Sequence, residues 1–231
     1  MPRTITDLKT DISGAIHGTN LNRITNIDQV IQRAGGDFLL DLDPRETKRT
    51  DTLTGGTYDS DDDAWTYTIP DDVKGTKVTY LAPTGSNTPI DNYRARYSKE
   101  FDLRRERETF TVETDGGVKT LRLSTGSDAT TWELEYYSKC LFQDADTGEW
   151  QETVTEDSNI LNLDTEAYAL FFDKVMMLLA PQLSGKDSAF DLKFYSDHYT
   201  NGVATYVSQN KSEAQRPQSV YYRQPFKPFR R

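Results

Sequence analysis

Cysteine and histidine are nearly missing from this sequence. One cysteine, Cys140, excludes an intrachain disulfide framework and any multi-cysteine metal site. Two histidines, His17 and His198, are too few for a three-histidine centre. There is no run of about 18 apolar residues, so no bilayer-spanning helix is expected. The opening Met1-Pro2-Arg3-Thr4 leads into no apolar segment of the secretory-signal type. No Walker loop, G-x-G-x-x-G or G-x-S-x-G elbow occurs. The 37 acids offer many chance carboxylate pairs for glycoside chemistry, and nothing singles out two of them. The expectation is a protein that is not an enzyme, with no catalytic residue, no cofactor and no metal.

Aromatic residues, by contrast, are plentiful. They make up 11% of the 231 residues, in a chain that is 35% hydrophobic and 28% charged. A disordered chain of this polarity would lack them, so a folded core is expected. The length suits one domain, or one domain with an embellishment. Net charge is −10, which argues against nonspecific duplex binding by the whole surface. That charge is unevenly spread. Residues 215–231 hold Arg216, Arg223, Lys227, Arg230 and Arg231 and no acid, so the remainder carries −15. Asp outnumbers Glu by 25 to 12, while Lys numbers only 12. An Asp-rich, Lys-poor surface suits a salt-rich medium that screens repulsion; ordinary compositional scatter produces it too.

The N-terminal segment reads as helical. Thr4-x-x-Asp7 forms a capping box, and Ile5, Leu8, Ile12 and Ile16 share a face up to His17-Gly18. A second helix is expected from Thr25-x-x-Asp28, with Ile27, Val30, Ile31, Ala34, Phe38 and Leu42 as its stripe. Gly35-Gly36 should weaken it, by about 1 kcal/mol each, and Pro44 should end it.

The middle alternates like a sheet. Trp65, Tyr67 and Ile69 alternate with threonines, as do Phe110 and Val112. Asp115-Gly116-Gly117 turns the chain into 118–123, a hairpin. Trp132, Leu134 and Tyr136 alternate with Glu133 and Glu135, giving one buried face and one wet one. Residues 144–148 offer a turn between 140–142 and 150–154. Residues 45–63 and 84–92 read as long, polar, threonine-rich connections.

Helices return after Asp164. Residues 167–180 are apolar except for Asp173 and Lys174, so this helix should be buried nearly all round, with Pro181 and Gly185 breaking it. Residues 187–213 then form a long helix whose Leu192, Tyr195, Tyr199, Val203 and Tyr206 lie in one arc, facing a core or another protein. The pattern predicts an α+β protein: helices at both ends, a C-terminal αα-hairpin with a long last helix, a central antiparallel sheet or small β-sandwich, and an extended tail. Its divisions are 1–44 (helices), 45–157 (β-region with acidic loops), 158–214 (the hairpin packing on the N-terminal helices) and 215–231 (the tail).

Two acidic runs resemble calcium loops and fail the test. Asp59-Ser-Asp61-Asp-Asp63 has Ala64 and Pro70 where Gly and Glu are required, and Asp144-Ala-Asp146-Thr-Gly148 reaches Thr155 instead of Glu. Solvated acidic loops are the better reading. His17 reads as a helix C-terminal cation and His198 as a helix-surface residue. The tail is the most informative segment. Pro217, Pro225 and Pro228 keep it from being a helix or a central strand. Tyr221, Tyr222, Phe226 and Phe229 interleave with Arg216, Arg223, Lys227, Arg230 and Arg231, the composition of interface hot spots. These nine residues are the candidate partner-binding site: an arm lying in a partner's groove, or one touching nucleic acid through phosphates and stacking. The acidic remainder of the chain favours a protein partner.

Three stretches carry a resemblance. They are His17-Gly-Thr-Asn-Leu-Asn-Arg-Ile-Thr-Asn-Ile-Asp28 through Leu42-Asp-Pro44-Arg-Glu-Thr47, Tyr137-Ser-Lys-Cys-Leu-Phe142, and Leu163-Asp-Thr-Glu-Ala-Tyr168 with the paired helices and Gln-Arg-Pro-Gln-Ser-x-Tyr-Tyr after it. In layout and composition the chain is similar to head–tail adaptor (connector) proteins of tailed viruses, of the podovirus tail-tubular or gatekeeper kind. The resemblance implies a virion neck protein, present in host cytoplasm during assembly. It implies a homo-oligomeric ring, usually of twelve copies, contacting the portal protein and a downstream tail or stopper protein. DNA would pass through its channel without sequence-specific binding, past an acidic lumen. A receptor- or glycan-binding tail protein and a virion-associated hydrolase are the rival readings.

Overall fold

A computed structural model describes residues 3–16, 24–61, 63–92, 109–115, 117–124, 130–183 and 192–214. The protein is α+β. Thr4 opens helix α1 (Ile5–Ala15) through the expected capping box: its hydroxyl accepts the Asp7 N–H, and the Asp7 carboxylate accepts the Thr4 N–H. Ile5, Leu8, Ile12 and Ile16 are all buried. Arg3–Thr4 is also a short strand, β1.

Helix α2 (Ile27–Asp41) starts one residue later than the capping-box spacing suggests. Asn26 caps it in the left-handed conformation, which asparagine tolerates, and contributes no side-chain hydrogen bond. The Thr25 N–H instead donates to the Gln182 side chain at 2.9 Å, so this entry is anchored by tertiary contact. The helix runs unbroken through Gly35 and Gly36. A Cβ on Gly35 would stand 3.1 Å from the Phe142 ring, so its missing side chain lets an aromatic lie against the helix backbone.

Between α2 and the main sheet the chain is more regular than its polarity implies. A 3₁₀ turn (Arg45–Thr47) leads into β2 (Lys48–Leu53), and β3 (Thr57–Asp59) follows before β4 (Ala64–Thr68). Residues 45–63 therefore contain two strands and a 3₁₀ turn rather than one continuous loop. The alternation was invisible because β2 buries only Leu53; the strand is held by backbone pairing to β9 (Trp132–Ser138). Residues 84–92 remain mostly irregular, ending in β6 (Asp91–Asn92).

Two sheets face one another. β2, β9 and β5 (Val73–Pro83) form one, in that order. β3, β4, β8 (Val118–Leu123), β7 (Thr109–Asp115) and β6 form the other, antiparallel apart from the parallel β6–β7 pair. The expected β7–β8 hairpin forms, with Asp115 opposite Val118 and Phe110 opposite Leu123. Leu53, Val78, Leu81, Trp132, Leu134 and Tyr136 from one sheet meet Tyr67, Ile69, Phe110, Leu121 and Leu123 from the other. The central element is thus a small sandwich. Tyr67 and Trp132 meet edge to face with ring centres 6.3 Å apart.

A second core gathers the helices. β10 (Phe142–Gln143) and β11 (Trp150–Gln151) form a very short hairpin across the 144–148 turn; with β12 (Ile160–Leu161) and β1 they make a four-stranded sheet. Leu141, Phe142, Leu161 and Leu163 join α1, α2 and α3 (Thr165–Leu183) in this cluster. Phe38 of α2 and Phe171 of α3 meet edge-on at 5.4 Å. Pro181 lies inside the last turn of α3 and does not break it. Pro181 has no N–H for the Met177 carbonyl and crowds it, but only two residues of the helix lie beyond, and Leu183 among them is buried.

Helix α4 (Leu192–Ala214) packs on α3. Tyr199 and Tyr206 of its stripe are buried, with Tyr195 and Val203 partly so. Leu192 departs from the expected pattern: it is 48% exposed and stands outside the packed portion. No helix among the described residues is long and apolar enough to cross a membrane.

Candidate interaction site

The nine partner-binding candidates, Arg216, Tyr221, Tyr222, Arg223, Phe226, Lys227, Phe229, Arg230 and Arg231, lie outside the described residues, as does His17. Helix α4 leads directly to them. Its described side chains enter two unanticipated polar links, one to α3 and one to α2. His198 is half-exposed, yet its Nδ1 is engaged with the carboxylate of Asp173, a residue only 4% exposed on α3. Burial pushes the Asp173 pKa up, and the His198 contact offsets part of that rise. Tyr199 donates to Asp41 of α2 at 2.7 Å, and Lys174 donates to the same carboxylate at 2.8 Å. Burial opposes the Asp41 charge, but these two donors hold its pKa below the ordinary value. The two charges that interrupt the apolar run of α3 thus tie three helices together.

Another polar knot lies beneath β9. Tyr136 and Ser138 donate to the two oxygens of Asp72 at 2.9 and 2.7 Å, and the Cys140 N–H donates to the Ser138 hydroxyl. Cys140 is buried, and burial raises its thiol pKa, the opposite of what a nucleophilic cysteine needs. Arg49 lies 3.6 Å over the Trp150 ring and donates to the backbone carbonyls of Glu46 and Lys48.

One cluster joins the helical part to the sandwich. Asp43, just beyond α2, accepts from Lys74 at 2.7 Å and from Lys77, both on β5; Lys74 also donates to the Leu42 carbonyl. Burial opposes the Asp43 charge, but both lysines hold its pKa below the usual carboxylate value of 3.8. Burial pulls the Lys74 ammonium down, partly offset by Asp43. A depressed carboxylate pKa gives stability that is present above about pH 4 and is lost as pH falls through the folded value. Asp43→Asn should therefore lower the melting temperature at pH 7, at a cost of about 1 kcal/mol. Thermal melts across pH check this: the gap between variant and parent should close in acid, whereas a gap independent of pH contradicts it.

Among the described residues no group of three His, Cys, Asp or Glu side chains is placed to hold a metal ion. The acidic turns use their carboxylates internally. Asp144 accepts the N–H groups of Asp146 and Thr147, and these bonds lower its pKa. Asp59 accepts the N–H of Asp61.

The outward-facing apolar groups are few and specific. Leu40 on α2 is 79% exposed, and Phe194 on α4 is 58% exposed, stacked on the His198 ring with centres 5.9 Å apart. Tyr58, on the edge strand β3, is 49% exposed; its ring leans on Trp65 with centres 5.5 Å apart, and its hydroxyl donates to Asp63 at 2.6 Å. Beside this pair, Asp61 and Asp63 are exposed. Arg122, on the outer face of the sheet, bridges Asp59 at 3.6 Å and Glu113 at 3.2 Å. Sequence reasoning missed Tyr58, which sits in a polar stretch read as loop. Its one signal was an aromatic immediately before an aspartate run.

No protein-family model matches the chain, and no curated protein matches it.

Proposed function

We propose that this protein is a structural component of a tailed virus, an adaptor at the neck that assembles as a ring beneath the portal and joins head to tail. The observation that carries the reading is a juxtaposition. A helical hairpin built on the N-terminal helices ends in α4, and the chain then passes into five cations and four aromatics attached to a body of −15. That sequence of parts suits a protein whose work is holding neighbours. The α3–α4 hairpin offers exposed Phe194 and Leu192 for lateral packing, and head-to-tail interfaces close into rings by rotation. An acidic body lets DNA phosphates pass without sticking. In this reading the protein performs no catalysis of its own and uses no cofactor; its partners are other copies, the portal and a downstream tail or stopper protein.

Electron microscopy of the purified protein mixed with the portal of the same virus tests it. A ring stacked on the portal is the expected result, of twelve copies if the resemblance holds in detail. Particles showing bare portals beside monomeric protein would overturn it.

A glycan- or receptor-binding tail protein is the second reading, favoured by the outer face of the five-stranded sheet. Thr66, Thr68, Thr111 and Thr120 alternate there with the buried Tyr67, Phe110 and Leu121. Glycan-array binding by the isolated protein, without portal association, would select it.

A further inference from the structure

Helix α2 carries two anomalies one turn apart on its outward face. Glycine in a helix interior weakens the helix relative to alanine, so each instance calls for a reason. Gly35 has one, since the Phe142 ring fills the space of its side chain. Gly36 has none within the chain: it is exposed, and a Cβ there would meet nothing within 4 Å. Four residues on stands Leu40, at 79% the most exposed large apolar side chain among the described residues. Residues four apart share a helix face, so the gap and the apolar knob belong to one surface.

Gln29, Gln32 and Arg33, all exposed, complete that surface within an arc of about 100°. It holds no acid. Asp37 and Asp41 lie along one flank, and Asp41 is already engaged by Lys174 and Tyr199. Arg33 meets Asp37 only at 4.0 Å, with its side chain 74% exposed, so this pair is loose.

A knob and a gap on one helix match a second copy of the same helix laid antiparallel. About a two-fold axis near Gly36, each Leu40 falls over the Gln32–Arg33–Gly36 turn of the other copy. Glycine at the crossing lets the backbones approach to the near end of the usual 8–10 Å between helix axes. The same two-fold brings Arg33 of each copy beside Asp37 of the other, so the loose pair gains a crossed counterpart. The two helix dipoles also run in opposite directions.

We propose that α2 is a self-pairing surface, on which a second copy of this chain lies antiparallel with Leu40 against Gly36. One helix face falls short of the roughly 800 Å² per partner of a standard interface, so the dimer is weak and concentration-dependent. The pairing stands apart from the neck reading. A two-fold contact closes on itself, whereas a ring needs a head-to-tail contact.

Sedimentation equilibrium of the full chain from about 1 μM to 1 mM tests the proposal. The expected result is a monomer–dimer equilibrium. Leu40→Asp should weaken it about a hundredfold, as both copies lose an apolar contact worth about tenfold, and leave the melting curve unchanged. Gly36→Gln separates this role from a merely structural one. A better helix former in open space should raise the melting temperature by about 2–4 °C, yet cut dimerisation about tenfold or more. A benzophenone amino acid in place of Leu40 should crosslink between chains, to residues 29–36. A chain that stays monomeric throughout, a dimer indifferent to both substitutions, or crosslinks mapped elsewhere would overturn the proposal. So would a monomer whose Leu40→Asp variant loses portal binding, which would give this face to the portal instead.

Discussion

Phe171→Asp should yield no folded protein. Phe171 is fully buried in the middle of α3, and its ring packs edge-on against Phe38 of α2. Removing such a ring alone costs about 3–5 kcal/mol. The introduced carboxylate must then be buried without a partner or protonated, which adds several kcal/mol more. Domains of this size are stable by only about 5–15 kcal/mol, so the sum exceeds or exhausts the margin. Asp173, two residues along, is the instructive contrast: it is also buried, but His198 meets it. Position 171 faces Phe38 rather than a cation. Circular dichroism and solubility check the outcome; a soluble protein with the parental melting curve would contradict the packing described above.

Deleting residues 215–231 should separate fold from assembly. Among the described residues the two cores run from Ile5 to Val207, so the shortened chain should melt within about 0.5 kcal/mol of the parent, as substitutions outside a core commonly do. In the adaptor proposed above, docking onto portal or ring should be lost altogether, because a tail repeated in every copy would multiply its effect through effective concentration. Truncated protein that still assembles into particles with normal tails would remove the strap from the account. Substituting only Tyr221, Tyr222, Phe226 and Phe229 by Ser separates aromatic contact from charge: loss of docking with the five cations retained is the expected result.

Local chemistry was well preserved in the order of residues. The Thr4–Asp7 box, the α1 stripe and the hairpin at 115–118 all follow from groups within a few positions of one another. So do the alternation of β9 and the apolar run of α3. The misreadings share a cause. β2 reads as loop because its polar side chains hide a backbone that pairs with a strand some eighty residues away. Pro181 reads as a helix break, yet the helix continues two residues past it to Leu183, which packing buries. The start of α2 falls near Thr25, as its spacing predicts, but Asn26 rather than Thr25 is the N-cap, and the Thr25 N–H goes to Gln182. The candidate site divides the same way: the tail announced itself by composition, whereas Tyr58 became visible only when β3 proved to be an edge.

From its order of residues alone this protein is an α+β chain with helical ends, a β-rich middle, a −15 body and a cationic aromatic tail. These are properties of spacing and composition, set by contacts of short range. Tertiary structure decided the rest. It divided the apolar residues into two cores, put the 142–161 hairpins with the helices, and paired Asp173 with His198 and Asp43 with Lys74. It also left Tyr58 at the rim of a sheet. Each of those outcomes depends on groups far apart in the chain, and which distant groups meet is fixed by packing rather than by periodicity.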